Sequence, residues 1–252
     1  MSDYQHPYET VNLPSEGKFY PEGHALRSGT VDIKYLTAKE EDILTSTNLV
    51  SKGIVFDKLL ESIILTKHED GRSISVDDIL VGDIDALLVA ARVLAYGKEY
   101  PVSQKCLHCS AQNNIVADLT QLEPREVDLQ VDEKGHFTYD LKGTTVKLRL
   151  LTRGDEKRIK KELKVLSDRN LPSTEITTRL RSVVAGVGDN ETISGIRQFC
   201  SEILIPDSRE LRDFYAKQVP GIDFSYKFVC EACNTESEGW VQLDPTFFWP
   251  EL

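Results

Sequence analysis

Two short stretches hold the residues with the most chemistry. "KCLHCS" and "VCEACN" contain Cys106-x-x-Cys109 and Cys230-x-x-Cys233, with residues 110–229 between the pairs. A Cys-x-x-Cys knuckle sets two thiolates on one side of a tight turn, which is half of a tetrahedral metal site. Two knuckles face to face complete a closed four-sulfur site, with metal–sulfur distances of roughly 2.3 Å. Structural zinc is the expected ion. An iron centre of the rubredoxin kind uses the same knuckles, and spacing alone leaves it open.

Other readings of the cysteines fare worse. Disulfides require an oxidising compartment, and "MSDYQHPYET" lacks the basic-then-apolar layout of a secretion signal. A cytoplasmic chain with reduced thiols is therefore expected. A thioredoxin-like motif places its first Cys at a helix N-terminus, whereas polar turn residues and strand-like segments follow here. His108, between two ligands, reads as an exposed turn residue. Cys200, in "IRQFCSEIL", reads as a small core thiol. Four thiolates leave no open coordination position for catalysis, and no P-loop, His-Glu-x-x-His or Gly-x-Ser-x-Gly occurs. "GVGDN" reads as a loop. The expectation is a protein that is not an enzyme.

The elements that must position these cysteines follow from the hydrophobic pattern. Residues 1–30 form a turn-rich, extended lead-in. "VDIKYL" (Val31–Leu36) alternates as a strand, and Thr37 with Glu40 forms a capping box that opens a helix. A second helix has Phe56, Leu59, Leu60, Ile63 and Ile64 as its stripe. A third is expected to be capped by Asp83 and stopped by Gly97. Beyond residue 125, "VDLQV", "HFTYDL" and "TVKLRLL" read as strands. Thr152 with Asp155 opens a helix, Ser173 caps another, and a last one spans Asp207 to Gly221.

At an offset of 124 the two halves match without gaps. Ile79 falls on Ile203, Leu80 on Leu204, Asp83 on Asp207, Leu87 on Leu211 and Gly97 on Gly221. Cys106 falls on Cys230, Cys109 on Cys233 and Leu119 on Leu243. "IKYLTAKEEDI" resembles "LRLLTRGDEKR" at an offset of 115, so one loop differs in length. The chain reads as an α+β protein of two divergent pseudo-repeats, each a strand, helices and a cysteine hairpin. They span 31–124 and 125–252, the second with extra strands and an aromatic tail, and a zinc-ribbon-like four-cysteine site joins them.

Charge and hydropathy limit the partners. Thirty basic and 41 acidic residues give a net charge of −11. One divalent ion on four thiolates would make this about −13. Such a field disfavours nucleic acid and anionic membrane surfaces. The basic residues of Arg153–Lys164 are interleaved with acids as on a solvated helix face. No run of about 18 apolar residues offers a membrane span. Aromatics stand between turn residues in two places: Phe19 and Tyr20 in "GKFYPEG", and Phe247, Phe248 and Trp249 in "DPTFFWPEL". Such clusters mark partner-binding sites when exposed; the other reading is that both segments fold back and cover the zinc hairpins or the helical core.

At "VNLPSEGKFYP", followed by a strand and "LTAKEEDIL", the chain resembles the baseplate hub assembly proteins of T4-type contractile-tailed bacteriophages. The resemblance spans the chain and is most specific over Leu13–Leu44, with the four cysteines as further landmarks. It implies a phage-encoded, non-enzymatic assembly factor or chaperone in the host cytoplasm, binding baseplate hub and tail proteins. Oligomeric state and retention in the virion stay open. The rivals are a permanent structural baseplate subunit and a zinc-ribbon module of the transcription type.

Overall fold

In the computed structural model, which describes residues 7–125 and 127–248, the lead-in is built into the fold. Strand β1 (Tyr8–Asn12) runs antiparallel to β2 (Thr30–Lys34), with Val11 opposite Val31. The loop between them closes tightly on itself. Gly17 and Gly29 adopt φ of 74° and 76°, and a Cβ on Gly17 would lie 2.4 Å from the Arg27 carbonyl oxygen. Only glycine meets both demands.

After β2, the Glu40 carboxylate accepts bonds from the Thr37 N–H and Oγ1 at 3.0 and 2.6 Å, starting α1 (Ala38–Thr45) as expected. Next come α2 (Thr47–Ser51) and α3 (Val55–Ile63), whose Leu59, Leu60 and Ile63 are fully buried. Ile64 then bridges back to Ile33. Helix α4 (Val81–Tyr96) leads into the first cysteine hairpin, β3 (Glu99–Lys105) and β4 (Gln112–Asp118).

The second half follows a similar order with one strand added. β5 (Phe137–Leu141) pairs with β6 (Thr144–Leu148), and a Thr152–Asp155 capping box opens α5 (Arg153–Asp168). After α6 (Glu175–Val183), β7 (Val184–Val187) returns to β6, with Leu148 opposite Val184. α7 (Ile193–Glu202) and α8 (Ile205–Lys217) precede the second cysteine hairpin, β8 (Ser225–Val229) and β9 (Glu236–Trp240). The offset of 124 relates the first residues of α4 and α8, the last residues of β3 and β8, and the first residues of β4 and β9. The architecture is α+β, with helices and small antiparallel sheets.

Several local expectations are corrected. Helices α4 and α8 start two residues before Asp83 and Asp207, on the extended residues Leu80 and Leu204. The Asp83 carboxylate turns to the lead-in instead, accepting from the Ser15 N–H (3.0 Å), Ser15 Oγ (2.7 Å) and Tyr20 hydroxyl (2.7 Å). The last helix stops at Lys217 rather than Gly221, and α6 is capped at Thr174 rather than Ser173. Val127–Val131 alternates in sequence but forms no strand. "GVGDN" supplies the last residues of β7 before its turn.

One hydrophobic core draws on both halves, from Leu26, Ile33, Leu60 and Leu87 to Phe137, Leu148, Leu211 and Phe247. The cysteine hairpins carry a small cluster of their own, formed by Cys106, Phe228 and Cys230.

Candidate metal centre

Each hairpin ends in the same turn. After β3, the Cys106 N–H bonds the Ala111 carbonyl at 2.9 Å, and the Ser110 N–H bonds the Cys106 carbonyl at 3.0 Å. After β8, Cys230 and Thr235 pair at 3.0 Å, and Asn234 and Cys230 at 2.8 Å. Ser110 and Asn234, each directly after the second cysteine, take the left-handed conformation, with φ of 61° and 55°. That reversal brings both sulfurs of a knuckle to one side.

The two knuckles face each other. Cys106 Sγ lies 3.8 Å from Cys233 Sγ, and Cys109 Sγ lies 3.6 Å from Cys230 Sγ. All four sulfurs lie within 4.8 Å of one another. A tetrahedron with metal–sulfur bonds of roughly 2.3 Å has sulfur–sulfur edges of roughly 3.8 Å, whereas a disulfide needs about 2.0 Å. The donors are thus at ligand spacing and too far apart for disulfides. Among the described residues, this is the one grouping of His, Cys, Asp and Glu side chains placed to hold a metal ion.

The electrostatics agree. Backbone N–H groups of Cys109 and His108 hold the Cys106 thiol below its ordinary pKa. Those of Cys233 and Ala232, with Asn113, hold Cys230 at about 6. The Ala111 N–H lowers the pKa of Cys109, but Cys233, burial and the remaining two thiols outweigh it and push the group up to about 12. Four thiols this close cannot all ionise without a cation among them, and a coordinated metal ion would supply that charge.

Two polar residues that sequence reasoning missed lock the knuckles together. The Leu107 N–H donates to Ser237 Oγ at 3.1 Å, and the Glu231 N–H donates to Asn113 Oδ1 at 3.0 Å. Leu107 and Glu231 are 124 residues apart, and so are Asn113 and Ser237. Each hairpin therefore grips the other's knuckle through the equivalent position, in the reciprocal manner of a two-fold interface. The sulfur pairs obey the same rule. Both residues are buried, and the signal that would have found them is that two hydrogen-bonding side chains align at the repeat offset.

Other candidates fall elsewhere. His108 is exposed on the knuckle, as expected. Cys200 is buried, and burial pushes its thiol up to about 11, so it is a packing residue. The expectation that aromatics at the two ends form an exposed partner-binding face is corrected. Phe19, Tyr20, Phe247 and Phe248 are all buried in the chain's own core. Phe19 meets Phe137 edge-on, Tyr20 stacks on His24, Phe247 lies against Tyr100 and Phe248 against Phe56. Arg92 Nε holds the tail by donating to the Phe247 carbonyl at 3.2 Å. Trp249 lies outside the described residues. No described helix is long and apolar enough to cross a membrane.

No curated protein and no solved structure matches the chain. A family described as "T4 bacteriophage base plate protein" does match, over residues 6–249, from the lead-in strand through both knuckles to the tail. That span takes in every element and all four sulfur donors, and the chain belongs to this T4-type baseplate protein family.

Proposed function

We propose that the chain is a non-enzymatic assembly factor for the baseplate hub of a contractile-tailed phage, acting in the host cytoplasm through protein–protein contacts. The observation that carries this reading is the family match along nearly the whole chain. The metal is read as structural zinc. Four thiolates suit a colourless, redox-inert tetrahedral ion, and their full coordination leaves no position for substrate. Cys106, Cys109, Cys230 and Cys233 would hold it. The two halves, 31–124 and 125–252, are read as copies of one ancestral unit.

With the end aromatics buried, the partner-binding surface is assigned to the outer faces of the hairpins. Leu107, Val116, Val229 and Trp240 are exposed there, on strands and turns held rigid by the metal and by the Asn113 and Ser237 bonds. A preorganised apolar face loses little entropy on binding. Affinity purification from infected cells, with metal analysis of the same sample, tests both parts. Baseplate or tail components should co-purify, and zinc should be present at one ion per chain. Absence of every tail component would remove the assembly reading. The family description also favours a permanent baseplate subunit, which would persist in purified virions, whereas a released factor would not.

A further inference from the structure

Among the contacts between the two halves, one backbone pairing has no counterpart at the equivalent positions among the described residues. At the start of α4, the Val81 N–H donates to the Leu151 carbonyl at 3.1 Å, and the Arg153 N–H donates to the Ile79 carbonyl at 2.8 Å. Leu80 and Thr152 form a bridge between these bonds. Thus the tripeptide Ile79–Leu80–Val81 of the first half is zipped to Leu151–Thr152–Arg153 of the second.

Each partner has an equivalent in the other half. At the offset of 124, Ile79–Val81 corresponds to Ile203–Ile205, and the helix that follows starts at the same position. At the offset of 115, Leu151–Arg153 corresponds to Leu36–Ala38, and both segments carry the capping-box threonine. These equivalents do not meet any described residue in the same way. The Ile205 N–H, Ile203 carbonyl, Ala38 N–H and Leu36 carbonyl form no hydrogen bond with a described residue. Leu80 is 4 % exposed, whereas its counterpart Leu204 is 67 % exposed and the adjoining Ile205 is 78 % exposed.

The asymmetry has a cause in the sequence. In the first half, the long loop between β1 and β2 carries Tyr20 over the start of α4, where its hydroxyl accepts the Leu80 N–H at 3.0 Å. In the second half, β5 and β6 are joined by the short turn at Lys142–Gly143, and Lys142 reaches only the Asp207 carboxylate. Beside Leu204 this leaves a groove of about 330 Å³, lined by Leu141, Phe199, Ile203 and Asp207 among others.

A contact between unlike surfaces that is made once leaves one surface of each kind unmatched. We propose that Ile203–Ile205 of one chain zips to Leu36–Ala38 of a second copy, repeating between chains the contact made within each. The Ile205 N–H would donate to the Leu36 carbonyl, and the Ala38 N–H to the Ile203 carbonyl. The contact is head-to-tail, so it propagates into a ring or an open string of copies rather than stopping at a dimer. The interface is small, and association is expected only at high protein concentration or where assembly gathers copies together.

Proline substitution tests this cleanly. Ile205 and Ala38 are each the first residue of a helix, where proline is tolerated because its missing N–H has no helical partner. Ile205→Pro and Ala38→Pro each delete one inter-chain donor and should keep the circular dichroism spectrum and melting curve of the metal-loaded chain. Leu204→Lys, at an exposed side chain, serves as a second variant should either proline disturb folding. Sedimentation of the full chain, 28.4 kDa as a monomer, is followed from micromolar to millimolar concentration. Wild type is expected to form species larger than a dimer, and each variant to lose at least about tenfold in association constant. An equimolar mixture of Ile205→Pro and Ala38→Pro should give dimers and nothing larger, because each contributes one intact surface. A wild type that stays monomeric throughout, variants that associate as wild type does, or a mixture that forms no dimer would overturn the proposal.

Discussion

Removing the metal should lower the stability of the whole chain by an amount that can be worked out in two ways. An ion on the four cysteines would close a segment with 120 residues between the knuckles. A cross-link over that length restricts the unfolded chain by about 5 kcal/mol. Metal exchanges off the unfolded chain, so mass action sets the working value: with free metal at about 1,000 times Kd, about 4 kcal/mol. For a domain of this size each kcal/mol shifts Tm by about 2–4 °C, which gives a fall of about 10 °C. Scanning calorimetry of the loaded chain, before and after a strong chelator, measures it. Cys230→Ser should fall by a similar amount and respond no further to chelator, because one missing thiolate opens the site. Hydrogen exchange should show the amides of Ser110 and Asn234 released first, since the hairpin cluster is separate from the main core. A melting temperature that chelator leaves in place while metal is lost would refute the clasp. So would a Cys230→Ser chain with the full chelator response.

Three further outcomes rest on the core. Burial alone would raise the Glu40 pKa, but bonds from Lys34 (2.8 Å), Ser62 (2.5 Å) and Thr37 outweigh it and hold the carboxyl at about 2 against an ordinary 4.5. The folded value is depressed, so this stabilisation is complete above the ordinary value and is lost as pH falls towards the folded one. It amounts to about 3 kcal/mol, and denaturant unfolding of Glu40→Gln across that acid range should show a correspondingly flatter dependence. Gly82→Ala would place a Cβ 1.8 Å from the Pro220 carbonyl oxygen. Urea unfolding should therefore show a loss of about 3 kcal/mol from overpacking, and an unchanged midpoint would contradict the close approach of α4 to that backbone. Tyr20→Phe removes the acceptor of the buried Leu80 N–H and one of the two donors to Asp83 Oδ2, which keeps Ser15 Oγ, with an expected cost of about 2 kcal/mol by the same measurement.

How legible the fold was depends on how far apart the deciding residues lie. The capping boxes at Thr37–Glu40 and Thr152–Asp155 could be read because both partners sit within one helical turn. The four cysteines could be read because spacing, flanking strands and the repeat offset agreed. The starts of α4 and α8 were misplaced because Asp83 and Asp207 look like caps locally. Their carboxylates are claimed by Ser15 and Tyr20, more than 60 residues away, and by Lys142. Val127–Val131 has a strand's alternation and, among the described residues, no strand pairs with it. The end aromatics were ambiguous because composition tells how apolar a segment is but not which groove receives it. Phe247 and Phe248 found theirs against Tyr100 and Phe56, in the other half of the chain.

A chain whose halves already share one core does not need a metal to hold them together. What the core supports least is the knuckle ends of the hairpins: Tyr100 and Ala117 join the core at the base of the first hairpin, whereas the turns rest on the small cluster of Cys106, Phe228 and Cys230. An isolated two-stranded hairpin is marginal in water. A metal ion held by the four cysteines would act, with the reciprocal bonds of Asn113 and Ser237, where the core stops, joining two weak hairpins into one rigid projection. Coordination geometry and the two buried hydrogen bonds would hold the hairpins against each other with less variation than hydrophobic contact allows. That division of labour explains why the side chains at the outer strand faces, Val116 and Trp240, can stay exposed without the hairpins collapsing onto the core. It also ties any partner that reads those faces to the state of the metal site, because without the ion the same residues would be carried on two independently moving strands pairs.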